Sequence, residues 1–388
     1  MLALRPDRLE RIPRWLDRSV EPGGRYAGAA VLVRQHGKDR LFHGAGVRRG
    51  TPGEGGAAWT RDTIARIFSM TKPVASLVAM QLVEQGRLVL DRPVSRYLPG
   101  WDAMRTLAGE RVAPPTIHQL LLHTSGLSYA FNPGPLGPIY SDAGIDTSPH
   151  KGTLEALCRR AAAVPLAFAP GTAWEYSIGI DVVGHVVETV LDDTLDRIFR
   201  NRVFEPLGME HTAFALAPPH AQRFADCFAK TPHDPLAPYD PAEASVYREG
   251  EVTLLSGGGG LLSTIDDYAR FAACLSGHAD VSLVSDATLR FMRRNHLGSD
   301  IASMGASSFA EMPMRGMGFG IGGACVLDPG LMGVPGSPGD FGWGGMASTY
   351  FWTDPVHALD VLFFTQLVPS SSYTNRAELK ALVHGALG

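Results

Sequence analysis

The sequence has no apolar run long enough to span a bilayer. Its first residues, Met1-Leu2-Ala3-Leu4-Arg5-Pro6-Asp7-Arg8, carry charge where a secretory signal needs a continuous apolar core. Cysteine is scarce. Cys158, Cys227, Cys274 and Cys325 lie far apart and form no CxxC, so neither a disulfide framework nor a zinc ribbon is expected. Free thiols suit a reducing compartment, and a cytoplasmic location is expected. Basic residues are not in excess: 35 Lys and Arg stand against 39 Asp and Glu, a net charge of −4. That gives no electrostatic footprint for nucleic acid. There is no HExxH and no GxxxxGK[ST], and His118 and His123 are five apart and share no helix face, so no metal and no cofactor are expected. G-x-S-x-G is absent too, which with the lack of alternating βα units excludes an α/β-hydrolase. Gly318-Phe319-Gly320-Ile321-Gly322-Gly323 matches G-x-G-x-x-G, but no helix opens from it, and it reads as a glycine-rich strand.

What remains is an ordinary globular composition over 388 residues, 45% hydrophobic and 19% charged, enough to bury a large core. Arg8–Leu16 reads as a short helix. Ala29-Ala30-Val31-Leu32-Val33 reads as a strand, turned at His36-Gly37-Lys38 and returning through Leu41-Phe42-His43-Gly44. From Ser69 the period lengthens: Val74, Leu77, Val78 and Leu82 mark a helix face, stopped at Gly86. Ile178–Leu191 and Ile265–Leu275 are further helices. Strand character returns in Phe319–Leu327, Ser348–Thr353 and Ala358–Thr365. A last helix begins near Asn375, read as an N-cap with Glu378 three residues on. Strands at both ends with helices between them imply an α+β fold: an antiparallel sheet built from N- and C-terminal segments, flanked by helices, with a mainly helical insertion. The expected division is 1–88 with 312–388 as the sheet domain and 89–311 as the helical domain, with the active site at their interface.

Three segments can carry chemistry. In Ser69-Met70-Thr71-Lys72 the serine and lysine share a helix face, and Pro73 places Ser69 near the helix start, where free N–H groups and the dipole favour an anion. A lysine one turn on can take the serine's proton. Taken alone, the tetrad is more simply a capping serine and a solvated lysine. Tyr176, delivered by the Pro170-Gly171 turn just before a helix, can be a general base beside a positive charge, or a core tyrosine. Phe341-Gly342-Trp343-Gly344-Gly345-Met346 leads towards a strand. Its glycines let backbone approach a ligand, and the Met346 N–H can serve with Ser69 N–H as an oxyanion donor; the same run also fits a plain turn. Asp181 can orient groups near Tyr176, although a structural helix carboxylate is the simpler reading.

Taken together and in this order, these segments resemble the serine β-lactamase and penicillin-binding-protein superfamily on its class C side, and within it the family VIII carboxylesterases. The resemblance covers nearly the whole chain. It includes Ile67–Pro73, Leu90-Asp91-Arg92-Pro93-Val94, Tyr97-Leu98-Pro99, Leu120–Leu127, Phe168-Ala169-Pro170-Gly171, Tyr176-Ser177, Pro206-Leu207-Gly208-Met209, Ser256–Leu261 and Trp343-Gly344-Gly345. It implies that Ser69 is the nucleophile, that Lys72 and Tyr176 share proton transfer, and that the N–H groups of Ser69 and Met346 form the oxyanion hole. It also implies that Tyr129 lies over the site and that Trp343, Gly344 and Gly345 contact substrate.

Two departures point to the reaction. The K-T-G box of β-lactamases and peptidases is replaced by Trp343-Gly344-Gly345, which removes an ammonium that would attract a carboxylate. The Asn of a class C Tyr-x-Asn is replaced by Ile178, which cannot hydrogen-bond a side-chain amide. The resemblance therefore implies a cofactor-free carboxylesterase for short- to medium-chain esters, with weak β-lactam hydrolysis at most. Acyl transfer, β-lactamase or peptidase activity, and a non-catalytic binding role on the same scaffold are the alternatives. The expected partner is a small-molecule ester, with no nucleic acid and no membrane; oligomeric state has no signature here. The Asn132–Ser148 and Pro218–Val246 loops are expected to shape the pocket.

Overall fold

The computed structural model describes residues 2–53, 55–146, 151–305, 308–309 and 312–388. The first hairpin forms where the apolar run and its His36-Gly37-Lys38 turn predict it. β1 (Gly28–Gln35) and β2 (Lys38–Gly46) are joined through His36 (φ 53°) and Gly37 (φ 70°), and successive positive φ values are what a two-residue hairpin turn needs. The later strands are β3 (Met317–Gly320), β4 (Gly323–Val326), β5 (Phe341–Gly344), β6 (Tyr350–Asp354) and β7 (Leu359–Thr365). Together they make one seven-stranded antiparallel sheet in the order β2-β1-β7-β6-β5-β4-β3. The N- and C-terminal segments meet at β1 and β7, in register from Ala29 opposite Thr365 to Gln35 opposite Leu359.

Both faces of the sheet are covered, and the period of two decides which side chain goes where. Val31, Val33, Val361 and Phe363 face α1 (Arg11–Ser19) and α5 (Asn375–His384), meeting Ile12, Leu16, Leu379 and Val383. Ala30, Leu32, Leu362 and Phe364 face the larger core. That core contains α2 (Thr71–Glu84), α3 (Gly179–Leu191) and α4 (Ile265–Ser276). Every residue of α2 from Thr71 to Leu82 is buried, because the helix runs through the middle of this core and has no solvent side. The helix bearing Lys72 is thus held on all sides.

Two short pairings tie the middle of the chain to the sheet region. Ala65–Arg66 pairs with Leu262–Ser263, and Cys227–Ala229 pairs in parallel with Leu367–Val368. Arg66, fully buried, reinforces them: its guanidinium donates to Asp240, Ala225 O, Ser245 Oγ and Gln366 Oε1.

The structure corrects three local expectations. Phe319–Leu327 is a hairpin, turned at Gly322 (φ 94°), where a single strand was expected. Phe341–Gly344, read as a lead-in, is itself a strand between β4 and β6; two of its four residues are glycine, so it carries little strand propensity of its own. Asn375 is the first residue of α5 and not its cap. Glu378 instead accepts hydrogen bonds from Thr374 Oγ1, Trp15 Nε1 and Arg25 Nη1, tying α5 to the N-terminal segment. Among the described residues no helix is long and apolar enough to cross a membrane.

Candidate active site

Ser69 sits in a tight turn, Phe68–Met70, between the Ala65–Arg66 strand and α2. Phe68 has φ 42°, a left-handed conformation that a bulky residue adopts only when its surroundings impose it. The clamps are visible. Tyr268 Oη donates to Met70 O at 2.8 Å, and Leu261 N–H donates to Thr71 Oγ1 at 3.1 Å. The turn leaves Ser69 half-buried at a cleft, with Lys72 one turn on and only 2% exposed.

Lys72 Nζ donates to Gly258 O at 2.6 Å, Tyr129 Oη at 2.9 Å and Ser69 Oγ at 3.3 Å. Three acceptors match the three N–H groups of an ammonium. The same Nζ lies 4.5 Å from the centroid of the Tyr176 ring, within cation–π range. Tyr129 thus touches Lys72 directly. Burial, with Tyr176 and Asp181 nearby, pushes its phenol well above the usual tyrosine range, so it stays protonated.

Tyr176 is buried in a nest of rings. His123 lies 4.7 Å away by centroids, Tyr129 5.2 Å and Trp343 5.6 Å. His123 is fully buried and adopts φ 58°. The Ser177 N–H donates to its Nδ1 at 3.2 Å, fixing that nitrogen as the acceptor. Burial and the charge on Lys72 hold its pKa well below the usual histidine value. The ring is therefore a neutral brace that orients the Tyr176-Ser177 segment. His118 pairs instead with His296 at 3.0 Å.

Trp343 does not line the cleft. Strand alternation turns it into the core, where it packs on Tyr176 and edge-on against Phe319 (5.2 Å, 88°). The cleft wall is formed by Gly344, Gly345 and Met346. A Cβ at Gly345 would lie 2.3 Å from Thr349 Oγ1 and 2.4 Å from Ile67 O, so only glycine fits this close to the Ser69 turn. Among the described residues, neither the Ser69 N–H nor the Met346 N–H donates a hydrogen bond to another group.

The cleft has a volume of about 560 Å³ and is lined mainly by carbon. Phe131, stacked on Tyr129 at 4.6 Å, is 67% exposed at its edge, and Tyr239 is 49% exposed. Asp146 and Tyr239 bring the two expected loops into the wall; Ser148 lies outside the described residues.

Several residues here escaped the sequence reading. Arg376, in the first turn of α5, reaches the cleft because Gly344 has no side chain; a Cβ there would lie 2.4 Å from Arg376 Nη2. Gly258 appeared only as part of a glycine run, and His123 only as a rejected metal ligand and within the Leu120–Leu127 run, with no role given to it. Asp181 is fully buried and accepts from Ser256 Oγ (2.5 Å) and Gly258 N–H (3.0 Å), so it is no surface acid. The cluster of Asp340, Asp354 and His384 that could hold a cation lies elsewhere; Lys380 Nζ already sits 2.5 Å from Asp340 there.

Comparison with known proteins agrees with this architecture. The Beta-lactamase family matches residues 16–385. Esterase EstB of Burkholderia gladioli is 31% identical over 358 residues, 88% of this chain and 86% of that one. The monacolin J acid methylbutanoyltransferase of Aspergillus terreus is 29% identical, covering 79% and 78%. Among solved structures, EstCE1, described as a hydrolase with promiscuous acyltransferase activity, superposes with a TM-score of 0.82 at 28% identity over 98% of both chains. With a match that runs through both the sheet and the Ser69–Lys72 turn, this chain belongs to the Beta-lactamase family.

Proposed function

We propose that this protein is a serine carboxylesterase for short- to medium-chain esters, with Ser69 as nucleophile. The observation that carries the reading is the contact of Lys72 Nζ with Ser69 Oγ at 3.3 Å, under the Tyr176 ring and at the floor of a largely apolar cleft. Esterase EstB as a relative over most of the chain supports the same chemistry.

Ser69 Oγ attacks the ester carbonyl while its proton passes to the Lys72/Tyr176 pair. The tetrahedral oxyanion is received by the N–H groups of Ser69 and Met346, which have no competing partner among the described residues. The pair returns the proton to the leaving alcohol, and water then releases the acid from the acyl-enzyme. Gly344, Gly345 and Tyr129 would contact the ester, and Trp343 would act through Tyr176. The small-molecule ester enters where Phe131 and Tyr239 stand exposed.

Acyl transfer to an alcohol is the second reading, favoured by the methylbutanoyltransferase relative and by the EstCE1 likeness. The division into 1–88 with 312–388 and 89–311 belongs to the same proposal. Ser69 and Met346 come from the first part, and Tyr129, Tyr176 and Gly258 from the second. So does a cytoplasmic location, which suits four free, buried cysteines. The test is covalent. An alkyl fluorophosphonate should label one residue, and peptide mass spectrometry should place the adduct on Ser69; an adduct on another residue refutes the assignment.

A further inference from the structure

We propose that Asp181 is a positioning residue for the Ser69–Lys72 pair, acting through Ser256 and Gly258 and supplying the buried counter-charge to Lys72. The inference rests on the esterase reading only for the identity of the nucleophile.

The geometry forms a continuous chain. Asp181 lies in the first turn of α3, where the helix dipole favours a carboxylate. Its Oδ1 accepts from Ser256 Oγ at 2.5 Å and from Gly258 N–H at 3.0 Å. Gly258 O in turn accepts from Lys72 Nζ at 2.6 Å, the shortest contact that the ammonium makes. One glycine thus carries the carboxylate on its N–H and the ammonium on its carbonyl. It can only be glycine: a Cβ would stand 2.3 Å from Asp181 Oδ2 and 3.1 Å from Tyr129 Oη. Gly258 is wedged between the acid and the phenol that also holds Lys72.

The charge balance supports the same assignment. Burial holds the Asp181 carboxyl above the usual range, and the Lys72 ammonium and the hydrogen bonds from Ser256 and Gly258 oppose that rise without cancelling it. The other groups facing the pair are accounted for. Tyr129 is held protonated, His123 is held neutral, and burial together with Asp181 pushes the Cys158 thiol up. Tyr176 lies over Lys72; Glu175 accepts from Ser128 Oγ, and Glu188, two turns along α3, lies 3.4 Å from His185. Within this nest, Asp181 and Lys72 are the acid and the cation that face each other. An unpaired buried ammonium would be costly, and a paired one is fixed.

The experiment measures the second-order rate of Ser69 capture by an alkyl fluorophosphonate between pH 5 and 9, which does not require ester turnover. Asp181→Asn keeps an oxygen for Ser256 and Gly258 and removes only the charge. Losing a negative charge disfavours the protonated, positively charged form of the groups that receive the Ser69 proton. The acid limb should therefore move to lower pH by about one unit or more, as for a charge within about 10 Å at an effective dielectric near 20. Asp181→Ala removes the acceptor as well, and its plateau rate should fall at least about tenfold, as for loss of a hydrogen-bonded charge. An acid limb in Asp181→Asn that stays at the wild-type pH overturns the proposal even if the rate falls, because a purely structural carboxylate would behave that way. Should Asp181→Asn not fold, Ser256→Ala serves. A plateau lowered about threefold or more, as for a lost hydrogen bond, supports the chain of contacts, and an unchanged plateau overturns it. Failure of wild-type Ser69 to be labelled counts against the nucleophile itself, and is distinct from either result.

Discussion

Replacing Tyr129 by phenylalanine removes one oxygen from the candidate active site and leaves the ring in place. The ring stays stacked on Phe131 at 4.6 Å, and the cleft keeps its shape. What is lost is the 2.9 Å hydrogen bond from Lys72 Nζ, leaving Gly258 O and Ser69 Oγ as its acceptors. A hydrogen bond to a charged group is worth about 1.5–3 kcal/mol. At about 1.4 kcal/mol per tenfold in rate, its loss should lower kcat by about 10- to 150-fold if the placement of Lys72 matters in the transition state. The assay is p-nitrophenyl butyrate hydrolysis with kcat and KM determined separately. The expected result is a lower kcat with KM changed less than about threefold, because the apolar wall is intact. A raised KM at unchanged kcat would refute the reasoning and make Tyr129 a substrate contact alone.

Other perturbations separate site from scaffold. Gly345→Ala forces a Cβ against Ile67 O and Thr349 Oγ1 and should displace the Met346 N–H; kcat should drop about 10²- to 10³-fold, as for loss of an oxyanion donor, and a near-normal kcat would contradict the Met346 role. Lys380→Met leaves Asp340 buried without its 2.5 Å partner, and urea unfolding should show a loss of about 3–5 kcal/mol; a loss below about 1 kcal/mol would contradict a buried pair. Burial holds His118 and His384 down to about 4, against 6.5 in the unfolded chain. In that interval the unfolded state binds more protons, so the stability these residues contribute above about pH 6.5 is lost as pH falls towards 4. Urea midpoints should decline across that window, and less steeply in the His118→Gln, His384→Gln double variant; an unaltered slope in the double variant would count against the assignment.

The outer plan of the fold was legible because Ala29–Val33 and Ala358–Thr365 are strand-length apolar runs rich in β-branched and aromatic residues, as strands buried on both faces are. β5 was not, since its strand character comes from neighbours on both sides and not from Gly342 and Gly344. The Ser69–Lys72 spacing could be read because three residues on a helix always share a face. Trp343 was misplaced for a converse reason. Sequence shows an indole beside glycines, but only strand register tells which of Trp343 and Gly344 faces the cleft. Gly258, His123 and Arg376 come from across 253 positions of sequence, and no local pattern records such a meeting.

The central claim is that Ser69 carries the reaction. Wild-type protein and Ser69→Ala should be compared for p-nitrophenol release from p-nitrophenyl butyrate, with matched circular dichroism. Steady release by the wild type and near-background release by the variant is the predicted result. Equal release by both folded proteins would contradict it.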